Sequence, residues 1–189
     1  MVAKYPTEIC TDTQIHQCDL FKKVPFYESY KEDMGAFQLS ILEFPLSIIL
    51  TQECDLEQNA NERSGEVKIE EGKRLHDKFL ISLLCAPVYN AEHLFAGNHL
   101  SFLNINSNKK TTDQKRYIKG NRESRYHYIE FEGDSQIVPS VIDFKHYFSV
   151  SLEYLESNIG NRVCSIKPIY RESISQRFSN YLSRIGLPN

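Results

Sequence analysis

Leu46-Ser47-Ile48-Ile49-Leu50-Thr51-Gln52-Glu53-Cys54-Asp55-Leu56 passes from an apolar block into a carboxamide, a thiol and two carboxylates within four residues. Entered after Pro45, the Leu/Ile block reads as a buried strand, while its periodicity also admits a short buried helix. Groups at a strand end are held by the scaffold and still reach solvent, so Gln52, Cys54 and Asp55 are the first candidates for chemistry. Cys is also a common packing residue and Asp a common turn former. Cys54 as core and Asp55 as a turn cap therefore stand beside the functional reading.

The neighbouring patterns are strand-like. Phe37, Leu39 and Ile41 alternate within residues 34–42, the period of a half-buried strand, before Pro45 breaks the chain. Residues 78–89 form a second near-continuous apolar run, and two such runs place neighbouring strands through one core. Residues 21–30, aromatic around Pro25, predict an extended edge strand, where proline is tolerated. In residues 125–131 Tyr126, Tyr128 and Glu130 share one face, and Arg125, His127, Ile129 and Phe131 the other. Residues 141–150 continue this β-prone composition. The acidic stretch after Leu56 and the basic stretch 104–121 read as loops.

Helices are expected where caps occur. Asn90 and Gly97 bracket a short one, and Ser151 opens another that Gly160 ends. The terminal helix carries Ile174, Phe178, Tyr181, Leu182 and Ile185 on one face, with Ser173 at its start and Gly186 and Pro188 at its stop. Arg177, Asn180 and Arg184 on another face read as a solvated stripe, with binding as the alternative. The expected fold is a single α+β domain over 1–189. A mainly antiparallel curved sheet or open barrel spans 8–150, and C-terminal helices occupy 151–189.

At 189 residues, 41% hydrophobic and 25% charged, the chain is of the globular rather than the disordered class. No apolar run approaches the ~18 residues of a membrane span, and residues 1–6 lack the apolar core of an export signal, so no membrane partner is expected. Five scattered cysteines, an odd number, predict reduced thiols and a cytoplasmic location. The net charge of −3 hides a segregation: residues 53–71 hold seven acidic and two basic side chains, residues 109–125 seven basic and two acidic. Such a local basic patch attracts a polyanion even on an acidic protein.

Three chemistries compete. The first is a nucleic-acid surface, with RNA or DNA as partner, made from Lys109, Lys110, Lys115, Arg116, Lys119, Arg122 and Arg125. Tyr117, Tyr126 and Tyr128 would supply stacking faces for unpaired bases. The second is a cysteine hydrolase, with Cys54 as nucleophile, His127 or His76 as base and Asp55 or Gln52 orienting. Against it, Glu53 and Asp55 flank the thiol, and negative charge disfavours a thiolate. The third is metal-assisted hydrolysis by Asp55, Glu57, His76, Asp77 or His127, which lack a recognised ligand spacing. Cys10, His16 and Cys18 likewise lack the paired two-spacer knuckle of a zinc site. No metal or other cofactor is expected. A protein-interaction subunit, docking a larger enzyme through the terminal helix or the basic face, is the remaining class.

The order of an alternating strand, Pro45-Leu46-Ser47-Ile48-Ile49-Leu50-Thr51-Gln52, and Leu83-Leu84-Cys85-Ala86-Pro87-Val88 resembles the small barrels of the PemK-type toxins over residues 35–90. The resemblance implies an SH3-like barrel and RNA cleavage. That family's early arginine-bearing loop has no counterpart here, and Thr51 matches only the turn. Thr51-Gln52-Glu53-Cys54-Asp55-Leu56, Arg125-Tyr126-His127-Tyr128 and Ser183-Arg184-Ile185-Gly186-Leu187-Pro188 together are similar to a set of uncharacterised bacterial and phage proteins. That likeness implies a bacterial or phage setting and no particular activity. The favoured expectation is a cytoplasmic module contacting nucleic acid or a nucleic-acid-bound partner; the alternative is a hydrolase or endoribonuclease centred on Cys54, Asp55 and His127.

Overall fold

The apolar blocks around Ile48 and Ala86 lie side by side. In the computed structural model, which describes residues 4–64, 77–132 and 137–184, they pair antiparallel, Ile48 opposite Ala86. The first belongs to β3 (Ala36–Ile49) and the second to β4 (Ser82–Asn90). The other strands are β1 (Lys4–Glu8), β2 (Asp19–Asp33), β5 (Tyr126–Glu132), β6 (Ser140–Asp143), β7 (Phe148–Ser151) and β8 (Arg162–Ile166). The helices are α1 (Glu53–Arg63), α2 (Ala91–Ala96), α3 (Thr112–Lys119), α4 (Leu152–Ser157) and α5 (Pro168–Leu182).

The protein is α+β, with one mixed eight-stranded sheet in the order β3-β2-β8-β1-β5-β6-β4-β7. A further β3–β4 pairing closes seven of the strands into a ring. The β1–β5 pairing is parallel; the others are antiparallel. Strands do not stop near residue 150 as expected, because β8 inserts between β1 and β2. Among the described residues no helix is long and apolar enough to cross a membrane.

All seven ring strands contribute to one core cluster, including Tyr5, Leu20, Ile48, Ala86, Ile129, Ile142 and Ile166; α5 adds Ile174 and Phe178. A second cluster joins Phe21, Phe44, Ile49 and Leu83 to Leu56 of α1 and Leu155 of α4. The third packs α2 and α3 on the other face of β5 through Phe95, Ile118, Tyr126 and Tyr128. Alternation in residues 125–131 is thus real, but both faces are covered.

Several local expectations change. Pro45 does not break the chain: β3 is continuous, and Lys22↔Leu46 and Val24↔Phe44 keep register around it. Opposite Pro45, which has no N–H to give, Lys23 adopts a left-handed φ of 56°. The edge expected around Pro25 is present, since β2 pairs with β8 only up to Phe21 and beyond it with β3 alone, while its first residues, Asp19–Phe21, are part of the ring. The first part of the stretch after Leu56, up to Arg63, is helical, as α1, and so is part of 104–121, as α3; residues 65–76 lie outside the described residues. Helix α5 starts earlier than Ser173, with Pro168 in its first turn. Ile185, Gly186 and Pro188 lie outside the described residues.

Candidate functional site

Helix α1 begins inside the quoted stretch, with Gln52 as its N-cap and Glu53 as its first residue. Glu53 turns toward the N-terminal segment. Its Oε1 lies 2.6 Å from His16 Nδ1, and its Oε2 accepts from the Gln17 amide at 2.7 Å and from Arg171 Nη1 at 2.9 Å. Arg171, on α5, is buried and also donates to the Ile166 carbonyl at 2.8 Å and to Ser165 Oγ at 3.2 Å. Its position follows from α5 starting directly after β8. Arg162, at the start of β8, donates to the carbonyls of Cys10, Asp12 and Gln14 and to buried Asp19, wrapping the segment before β2 around one guanidinium.

These groups line a cleft of about 400 Å³ whose walls include Glu8, Cys10, Asp12, His16, Glu53 and Arg171. The hydrogen bond it donates to Glu53 raises the His16 pKa above its ordinary value, against the opposing effect of burial. Burial works against the charge of Glu53, but the bonds from His16, Gln17 and Arg171 outweigh it and hold its carboxyl below the usual value. Glu53 thereby holds a proton on His16 Nδ1, and Nε2 lies 3.8 Å from the Oδ1 of Asp12, which also lines the cleft. An imidazole so oriented can take and return a proton at Nε2. Cys10 supplies no ready thiolate beside it, since burial, followed by the charge of Asp19, raises its pKa.

The predicted catalytic residues do not converge. Cys54 is exposed on α1, where its thiol donates to Gln52 Oε1 at 3.6 Å and to Asp55 Oδ1 at 3.8 Å. Asp55 is exposed beside it. His127 is fully buried in β5, its Nε2 2.9 Å from Tyr5 Oη, and burial pulls its pKa down to about 3. Among the described residues no hydrogen bond links His127 to Cys54 or Asp55. His76 lies outside those residues. Cys18 is buried and Nδ1 of His16 is taken by Glu53, so the Cys10, His16 and Cys18 set does not gather on one ion. No group of three or more His, Cys, Asp or Glu among the described residues is arranged for a metal.

The basic segment divides. Thr111 and Gln114 form a reciprocal capping box that starts α3, and buried Ile118 seats the helix on the third cluster. Lys109, Arg116, Lys119 and Arg122 are exposed and Lys115 half-buried. Lys115 and Lys119 lie 5.7 and 5.5 Å from the Phe95 ring centre, resting their stems on an aromatic base. Arg125 instead makes a bidentate pair with buried Asp143, at 2.8 and 2.6 Å. Tyr126 and Tyr128 are core residues at 5% and 3% exposure, so their faces cannot receive a base. Tyr117 is 47% exposed, with the Arg116 guanidinium 5.8 Å from its ring centre. Arg177 is no solvated stripe either, since it donates to the carbonyls of Asn121, Glu123 and Tyr126 and pins the turn between α3 and β5.

Sequence reasoning passed over Glu53, treating it only as a negative neighbour of Cys54, and weighed His16 only as a zinc ligand. No local signal marks Arg171, which lies 118 residues from its carboxylate. Comparison with protein-family models, curated proteins and solved structures finds no match for this chain.

Proposed function

We propose that this protein is a binding module whose α3 face contacts nucleic acid through its phosphates. The observation that carries this reading is a set of six cations, Lys109, Lys110, Lys115, Arg116, Lys119 and Arg122, clustered on and beside one short helix. Among the described residues the one ion pair they form is Arg116–Asp113, at 3.0 Å with both side chains mostly exposed. Exposed pairs of that kind contribute little and leave the positive field largely intact. Tyr117 is the aromatic face offered for stacking. The resemblance to the PemK-type toxins, the SH3-like description of the strand ring and a cytoplasmic, bacterial or phage setting belong to the same proposal. Closure of seven strands and the strand order over residues 35–90 support the barrel part of it.

The test is salt-dependent binding to labelled single-stranded RNA, single-stranded DNA and duplex DNA. Charge reversal of Lys115, Arg116 and Arg122 to Glu should weaken binding at least about tenfold and lower the salt slope by about three phosphate contacts. Unaltered affinity in low salt would end the reading.

A hydrolytic reading is favoured by one separate observation, the 2.6 Å contact between His16 Nδ1 and Glu53 with Nε2 3.8 Å from Asp12 Oδ1, both residues lining the cleft. It moves the acid–base role from His127 to His16, with water as the nucleophile. The same samples, followed for strand cleavage, test it: turnover should vanish in His16→Gln, and turnover that persists there would exclude His16 as the base.

A further inference from the structure

Beyond the ring, β2 and β3 continue as a two-stranded arm. Pairing of β2 with β8 ends at Phe21, and β4 first meets β3 at Ser47, so residues 27–41 pair only with one another. Met34 and Gly35, both at positive φ, make the two-residue turn at its tip. Directly opposed residues share a face, so Tyr27↔Ile41, Tyr30↔Leu39 and Glu32↔Phe37 lie on one side. Ser29↔Ser40, Lys31↔Gln38 and Asp33↔Ala36 lie on the other. The alternation that predicts a half-buried strand is therefore present, but among the described residues nothing buries it: Tyr27, Tyr30, Phe37, Leu39 and Ile41 are 58, 72, 69, 62 and 50% exposed. An isolated two-stranded hairpin is marginal in water, and a contiguous apolar patch of this size marks an interaction site.

We infer that the apolar face of the arm packs against the same face of a second copy of this chain in a two-fold dimer. The area fits this occupant. Each of the five side chains offers on the order of 100 Å², so two apposed faces bury about 1,000 Å², above most lattice contacts and at the size of a weak, reversible interface. Charge fits as well. Glu32 is the one charged residue among the six on the face. Antiparallel apposition carries Glu32 at the tip toward the base of the other arm, where exposed Lys23, opposite Pro45, continues the same face beside Glu43 and supplies the cation it meets. A two-fold axis makes every such contact twice. Polyanion binding at α3 and dimerisation through the arm use different surfaces, so either can fail without the other.

The experiment is sedimentation velocity with light scattering on the full chain over a wide concentration range, for the wild type, Leu39→Asp and Gln38→Asp. The wild type should be a reversible dimer. Leu39→Asp, at the centre of the face, should raise the dissociation constant at least about 30-fold. Gln38→Asp, one residue away on the polar face, should leave it unchanged, with both variants keeping the wild-type circular dichroism. A wild type monomeric at every concentration overturns the inference and leaves the face to a different partner. So does a dimer indifferent to Leu39→Asp, or one weakened equally by Gln38→Asp.

Discussion

His16 and His127 illustrate how environment sets opposite roles for one side-chain type. The folded pKa of His16 lies above its ordinary 6.5, so its contribution to stability is fully present below that value and is lost as pH rises through the folded pKa. Glu53 is held below its ordinary 4.5, so its contribution is present above that value and is lost as pH falls through the lowered folded pKa. In urea titrations across pH, the margin of wild type over His16→Gln should be widest between about 4.5 and 6.5 and should shrink on the alkaline side. A margin that grows toward pH 8 would contradict the pairing. Buried His127 carries the reverse sign. Held neutral down to about 3, it takes up a proton on unfolding, so its contribution is complete above 6.5 and erodes as pH falls below it.

Among the elements, α2 and α4 are legible from their end signals and α5 from its apolar period, whereas α1 and α3 lie in stretches that read as loops. Asn90 accepts from the amides of Glu92 and His93, and Gly97 closes α2 at a φ of 84°, where an added Cβ would sit 2.1 Å from the Ser107 carbonyl oxygen. Ser151 caps α4 in the same legible way. By contrast α1 buries only Leu56 and Asn59, too little to impose a helical period on its acidic sequence. Helix α3 is also short and polar, and Thr111-x-x-Gln114 is the one local signal that marks its start. Thr111→Ala should cost α3 about 1 kcal/mol, seen as faster amide exchange confined to residues 112–119. Global loss of protection would instead make the cap part of the cooperative core.

For the whole molecule, Arg171 ties three distant parts of the chain together: Glu53 of α1, Ser165 and Ile166 of β8 and, at 3.7 Å, Glu8 of β1. Its side chain is only 8% exposed, so removing the cation leaves Glu53 partly buried beside His16 without its permanently charged partner. Arg171→Met, which keeps the length and apolar stem, should lower unfolding free energy by about 3 kcal/mol in denaturant titration. A loss below about 1 kcal/mol would show that the network orients the cleft without holding the fold. The arm is the other feature at this scale, since an apolar face outside the ring contributes to stability only once something covers it.

By itself the sequence determined what depends on near neighbours. It specified the apolar blocks that became β3 and β4, the two-faced alternation of β5, the capped helices α2 and α4 and the concentration of cations before β5. Those features follow from side-chain period and from caps acting over three or four residues. Only the tertiary structure decided which carboxylate met which cation and which apolar face was covered. Insertion of β8 between β1 and β2 brings Arg162 and Arg171 to the N-terminal segment and to Glu53, across separations no local pattern encodes. The same topology covers both faces of residues 126–129, closing Tyr126 and His127 to solvent, and leaves Phe37, Leu39 and Ile41 outside the ring. Period tells which residues share a face; the packing of distant elements decides whether that face is buried.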